Sequence, residues 1–140
     1  MFIGQYRHSF DSKKRLFIPS NIREGKRNKF IVTCGLEKCL FMYIPEDWKI
    51  ITDKLKTLSF TKTDARQFTR LFFSGASEVK LDRQGRILLP DNLYEYAGLR
   101  KHAIIIGVQD RVEIWDSGIW KKYQDKASGK YCEVAENLAF

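Results

Sequence analysis

Two ten-residue stretches of the chain, FDSKKRLFIP at Phe10–Pro19 and LDRQGRILLP at Leu81–Pro90, have the same layout. Each has an aspartate, three turn residues, an arginine, a short apolar run and a proline. Asp11, Arg15 and Pro19 match Asp82, Arg86 and Pro90 at a constant shift of 71, and Gly4 matches Gly75 at that same shift. Further on the shift is 72: Gly35, Tyr43 and Trp48 lie against Gly107, Trp115 and Trp120. Identical motifs in identical order are the mark of a duplicated unit, and duplication restricts the available folds more than any composition does.

Both halves predict the same series of elements. An alternating strand (about Ile3–Ser9, or Glu78–Leu81) enters the turn, and a second short strand leaves it (Leu16–Ile18, or Ile87–Leu89). A proline then opens one helical turn, PSNIRE or PDNLYEYAGL. Two further strands follow, Phe30–Cys34 with Leu40–Tyr43 and Ala103–Ile106 with Val112–Trp115, joined by the hairpin turns GLEK and GVQDR. Each half ends in an amphipathic helix, carried by Trp48, Ile51, Leu55 and Leu58 or by Trp120, Tyr123 and Ala127. The first half adds a helix over Asp64–Phe73, for which Thr61 or Thr63 is the expected N-cap. The terminal YCEVAENLAF is weakly helical. Four such short strands cannot bury themselves alone. Two sets can, by interlocking into one closed barrel without exposed edges, with the helices packed outside.

The 140 residues make one domain or two half-size units around one core, and with 44% hydrophobic residues a core is affordable. Lysine and arginine number 25 against 17 acidic residues, a net charge of +8. That excess favours a polyanionic partner, nucleic acid first and anionic membrane second. No apolar run approaches a membrane span, and MFIGQYRHSF alternates and carries charge early, unlike a signal peptide. A cytosolic protein is expected, with Cys34, Cys39 and Cys132 as reduced thiols.

The duplicated turn is where chemistry concentrates. An aspartate opening a turn accepts hydrogen bonds from amides two or more residues on, which gives Asp11 and Asp82 a turn-structuring role. Arg15 and Arg86 admit two readings: ion-pair staples of their turns, or donors to phosphate and guanine. Lys13, Lys14 and Arg83 add point charges inside the same turns. One aspartate per repeat of a duplicated barrel is also how an aspartic hydrolase presents its dyad. Against that, neither turn has the small Ser/Thr-Gly pair of such loops, and the cations would hold both carboxylates ionised.

MFIGQYRHSFDSKKRLFIP, GLEKCLFMYIPEDW, DARQFTRLFFSGASEVKLDRQGRILLP, YEYAGL and VEIWD together resemble the MraZ family, bacterial transcriptional regulators built from two tandem SpoVT–AbrB-type halves. The resemblance runs from Met1 to about Tyr123. It implies a β-rich α+β fold in which the two pseudo-repeats interlock as a swapped-hairpin β-barrel with flanking amphipathic helices. The expected division is residues 1–60 for the first half, 61–74 for a connecting helix and 75–140 for the second half with C-terminal helices. It implies that the DxxxR motifs, Asp11 with Arg15 and Asp82 with Arg86, are the DNA-contacting elements. The implied partners are double-stranded DNA at direct repeats in the promoter of the division and cell-wall gene cluster, and further copies of the chain in a ring-shaped homo-oligomer. A repressor, cytoplasmic and nucleoid-associated, is the expected role, with no cofactor, membrane or small-molecule substrate. The family's first copy usually reads DxKGR, and here Lys14 replaces the glycine. A positive φ at that position would cost Lys14 roughly 1 kcal/mol.

Other features carry less. Cys34 and Cys39 with His8 or His102 lack the second close ligand pair of a zinc site, so no metal is expected and the cysteines read as small packing residues. Trp48, Trp115 and Trp120 recur in both halves in helical or strand settings, which favours core or subunit contact over base stacking. The basic loop REGKRNK, Arg23–Lys29, is divided evenly between a solvated run and a phosphate contact. No glycine-rich phosphate loop and no nucleophile–base arrangement can be assembled, and the chain is not expected to be an enzyme. A protein-binding scaffold would instead need its cationic turns buried at an interface.

Overall fold

The computed structural model describes residues 1–25 and 27–139; Lys26 of the basic loop and Phe140 of the C-terminal stretch lie outside the described residues. The first half contributes β1 (Gln5–Ser9), β2 (Arg15–Phe17), β3 (Lys29–Cys34), β4 (Leu40–Tyr43), α1 (Pro45–Leu55) and α2 (Thr63–Ser74). The second contributes β5 (Ser77–Lys80), β6 (Arg86–Leu88), α3 (Asp91–Tyr96), β7 (His102–Val108), β8 (Arg111–Asp116), α4 (Ser117–Ser128) and α5 (Tyr131–Asn137). Among these residues no helix is long and apolar enough to cross a membrane.

This is an α+β fold with antiparallel strand pairing. Six strands form one sheet in the order β1-β7-β8-β4-β3-β5, and β2 pairs with β6 in a separate two-stranded ribbon. Four strand pairs join the halves. First-half β1 lies on β7, second-half β5 lies on β3, β4 meets β8 in the middle of the sheet, and β2 meets β6. Neither half could satisfy its backbone groups or cover its apolar faces without the other.

The expected closed barrel is not what forms. The sheet stays open, with β1 and β5 at its edges. Each edge strand runs into its DxxxR turn, and the strand leaving that turn pairs with its counterpart from the other half. At the β1 edge a single bridge, Phe10 to Leu16, links the sheet side to the ribbon. Strands of three residues are too short to continue both ladders at once.

The ribbon nevertheless closes the core. Leu16 and Ile87, directly opposed, are fully buried, and Ile18 and Leu89 follow them inward. They meet Phe30, Leu40, Met42, Ile105 and Ile114 from the sheet in one cluster. At about 1.5–3 kcal/mol per fully buried large aliphatic side chain, the four inward ribbon residues are a main tie between ribbon and sheet. The alternation turns Arg15, Phe17, Arg86 and Leu88 to the opposite, outer face.

Helices cover the sheet through aromatics. Trp48 of α1 stacks on Phe72 of α2 at 5.4 Å, and the Thr33 hydroxyl donates to the Phe72 carbonyl at 2.6 Å. Trp115 of β8 packs against Trp120 and Tyr123 of α4. The tryptophans are thus engaged in packing. The cap expected from Thr61 or Thr63 is not formed: Lys62 occupies the N-cap without a side-chain bond, Thr61 pairs with Ser59, and Thr63 is already helical. Asp116 does cap α4, accepting from the amides of Gly118 and Ile119. After the prolines, the second half winds into α3, whereas Pro19–Arg23 makes a single hydrogen-bonded turn.

Candidate nucleic-acid interface

The two DxxxR turns are built atom for atom alike. Asp11 Oδ1 accepts from the amides of Lys13 (2.9 Å) and Arg15 (3.0 Å), and Oδ2 accepts from Arg15 Nε at 2.7 Å. Asp82 Oδ1 accepts from the amides of Gln84 and Arg86, both at 2.9 Å, and Oδ2 accepts from Arg86 Nε at 3.0 Å. In each turn the fourth residue's amide returns to the aspartate carbonyl. Those fourth residues are Lys14, at φ 60°, and Gly85, at φ 77°. The duplicated turn therefore needs a left-handed residue, and the lysine carries that conformation without glycine's freedom.

Both carboxyls are held below the ordinary aspartate value of 3.8. For Asp11 the main cause is the hydrogen bond from the Arg15 amide, and for Asp82 it is the bond from the Arg86 amide. Each is the anionic partner of its own turn's arginine.

Ribbon pairing then brings the turns together. Arg15 lies opposite Leu88 and Arg86 opposite Phe17, so the arginines sit diagonally on the outer face. Arg86 also bridges the halves, its Nη1 donating to Asp11 Oδ2 at 3.2 Å. The arginine side chains lie along the turns, 32% and 24% exposed. Their ion pairs engage Nε of both and Nη1 of Arg86, which leaves outer guanidinium N–H groups without a protein partner among the described residues. Arg86 sits between the two aspartates, so a carboxylate dyad sharing a proton does not form.

Lys13 and Arg83 are exposed and unpaired among the described residues. Lys14 Nζ lies 3.3 Å from Asp91 Oδ1 and 5.0 Å from the centroid of the Tyr94 ring. The basic loop is divided. Arg27 turns to the Phe2 ring and Lys29 pairs with Glu78, but Arg23 reaches the ribbon and lies over Phe17. Reading Arg23–Lys29 as one run hid this; the signal was the proline-initiated turn that carries Arg23 back. The result is one outer face with several cations fixed on short turns, able to make charge-assisted hydrogen bonds to a polyanion.

The cysteines take no part. Cys39 is buried, its Sγ donates to the Leu36 carbonyl, and burial pushes its thiol up to about 12. Cys34 is half-buried and Cys132 exposed. Among the described residues no three His, Cys, Asp or Glu side chains gather as a metal site.

The chain matches the family model described as "MraZ protein, putative antitoxin-like" twice, over residues 1–71 and 72–139. It is 53% identical over 138 residues to a transcriptional regulator MraZ of Pelotomaculum thermopropionicum, covering 99% of this chain and 95% of that protein. Like-named proteins of Heliobacterium modesticaldum (52% identical, 99% and 96% covered) and Desulforamulus reducens (50%, 99% and 97%) are similar over the same length.

Proposed function

The chain belongs to the MraZ family, and from that premise we propose that it is a transcriptional regulator that binds promoter DNA through its paired DxxxR turns. The observation that carries this reading is the Arg86–Asp11 bridge at 3.2 Å, which locks two like turns into one cationic outer face. Arg15 and Arg86 donate to phosphate and base edges, Lys13, Lys14 and Arg83 contact the backbone, and Asp11 and Asp82 hold the turns in shape. Residues 1–60 and 75–140 act as the two halves, linked by 61–74, each presenting its hairpin on the other as a swapped pair. The protein works as a repressor in the cytoplasm at the nucleoid.

One such face makes few contacts, so its affinity for a single short box is weak. A ring-shaped homo-oligomer gains avidity by engaging several direct repeats at once. Footprinting its own promoter with wild type, Arg15→Ala and Arg86→Ala tests the assignment. Protection by wild type alone supports it, and unchanged protection by a doubly substituted chain refutes it. Titration against one, two and three boxes at several salt concentrations tests avidity. Affinity should climb steeply with box number and fall with salt. Equal affinity for all three duplexes would end the avidity model. A scaffold protein, in contrast, would lose its assembly on charge reversal at Arg15 and Arg86.

A further inference from the structure

Arg23 belongs to the first half but lies on the turn of the second. Its Nε donates to the Ile18 carbonyl at 2.6 Å, and its guanidinium carbon stands 4.9 Å from the centroid of the Phe17 ring. A Cβ added to Gly85 would come within 2.8 Å of that carbon and 2.9 Å of Nη1. The guanidinium is therefore packed closely against the bare backbone at Gly85, with the Phe17 ring as its other neighbour. A side chain at the tip would push the guanidinium from this place.

The repeat makes the arrangement informative. At the shift of 71, Lys14 corresponds to Gly85 and Arg23 to Tyr94. On the first turn the cation comes from the tip, Lys14, and rests over the aromatic ring of Tyr94. On the second the tip is bare, and the cation comes from the position equivalent to that aromatic. Beside each turn a cation thus rests over an aromatic ring, supplied from exchanged positions of the repeat, and both cations come from the first half.

We infer that Arg23 is a phosphate-binding residue of the second turn, the counterpart of Lys14 on the first. This rests on the DNA-binding reading above. The ring and the glycine backbone hold the guanidinium, the Ile18 carbonyl occupies Nε, and Nη1 and Nη2 have no protein partner among the described residues. That is a two-pronged donor with little freedom left to lose, matched to two oxygens of a duplex phosphate. A phosphate contact fixes position without reading sequence. Arg23 therefore contributes equally to every duplex, unlike Arg15 and Arg86.

The test measures affinity of the full-length oligomer for its own promoter duplex and for a random duplex of equal length, over a series of KCl concentrations. Arg23→Gln should weaken both duplexes by the same factor and flatten the log–log salt dependence by about 0.9 for each protomer engaged. Arg23→Lys should keep nearly the wild-type slope. The double variant R23Y/G85K rebuilds the first turn's pair on the second and should restore the slope. An Arg23→Gln slope equal to wild type overturns the inference. If Arg23→Gln loses its fold by circular dichroism, Arg23→Met decides by the same criterion: a wild-type slope in that folded chain is equally fatal. Failure of the wild type to bind either duplex would instead remove the DNA-binding reading itself.

Discussion

Lys14 and Gly85 stand at one left-handed position, φ 60° and 77°, with opposite consequences for substitution. Lys14→Gly relieves roughly 1 kcal/mol of backbone strain but gives the unfolded chain about 0.5–1 kcal/mol of added freedom. The Lys14–Asp91 pair it loses is largely exposed and contributes little. Thermal unfolding should therefore move by less than about 1 kcal/mol, while DNA binding becomes less salt-dependent. Gly85→Ala adds a Cβ at a positive φ against the Arg23 guanidinium and should cost about 1–2 kcal/mol in the same melt. The aspartates set a pH limit. Their folded-state pKa values are depressed, so their contribution is complete above the ordinary value of 3.8 and is lost as pH falls through the lower folded values. Melting temperature followed down through the acid range should show this limb in wild type. It should shrink in a chain carrying Asp11→Asn and Asp82→Asn, and an unaltered acid limb would show that these carboxylates are not its source.

The ribbon is the smallest element on which the proposed interface depends. Leu16 and Ile87 face each other at its centre and have no exposed surface, so Leu16→Ala and Ile87→Ala should each cost about 2–5 kcal/mol in denaturant unfolding. Pseudo-equivalence predicts similar losses; a loss below 1 kcal/mol at either position would mean the ribbon is not anchored as described. Much of this element was readable beforehand. The constant shift of 71 located both turns, whereas the apolar run Leu16–Ile18 did not disclose that Phe17 faces outward between two buried neighbours. Helices α1 and α4 followed from the spacing at Trp48 and Trp120, but their partners, Phe72 for Trp48 and Trp115 for Trp120, came only with the packing. Closure was misread, because strand count and length do not say whether a three-residue strand returns to its own hairpin or crosses to the other half. The cap of α2 was misread because two threonines near a helix start look alike until the backbone selects one of them, and here it selected Lys62. Arg23 was placed with its charged neighbours because adjacency in sequence is visible and a contact with Gly85 is not. Yet the exchange of Lys14 and Gly85 for Tyr94 and Arg23 was written in the aligned repeats, and only packing gives it meaning.

At the scale of the molecule, the strand order decides what can fold alone. Removal of the second half deprives β1 of β7, β3 of β5, β4 of β8 and β2 of β6, leaving only the β3–β4 hairpin ladder among named strands. Its counterpart retains only the β7–β8 pairing. An isolated hairpin is marginal in water, and neither half keeps a covered apolar face. Cutting between α2 and β5, residues 1–74 and 75–140 made separately should give no cooperative melt as monomers. Mixed, they should recover the near-ultraviolet signal of Trp48, Trp115 and Trp120 packed in place, together with a single unfolding transition. Since the β2–β6 ribbon exists only when both are present, DNA binding should return with the fold and in the same proportion. A monomeric half that melts cooperatively alone would show that the duplication produced two self-sufficient domains. The Arg86–Asp11 bridge would then be a contact between finished units instead of part of a shared core. Reconstitution of the melt without recovery of DNA binding would locate the interface away from the ribbon, and would leave the paired turns with a purely structural task.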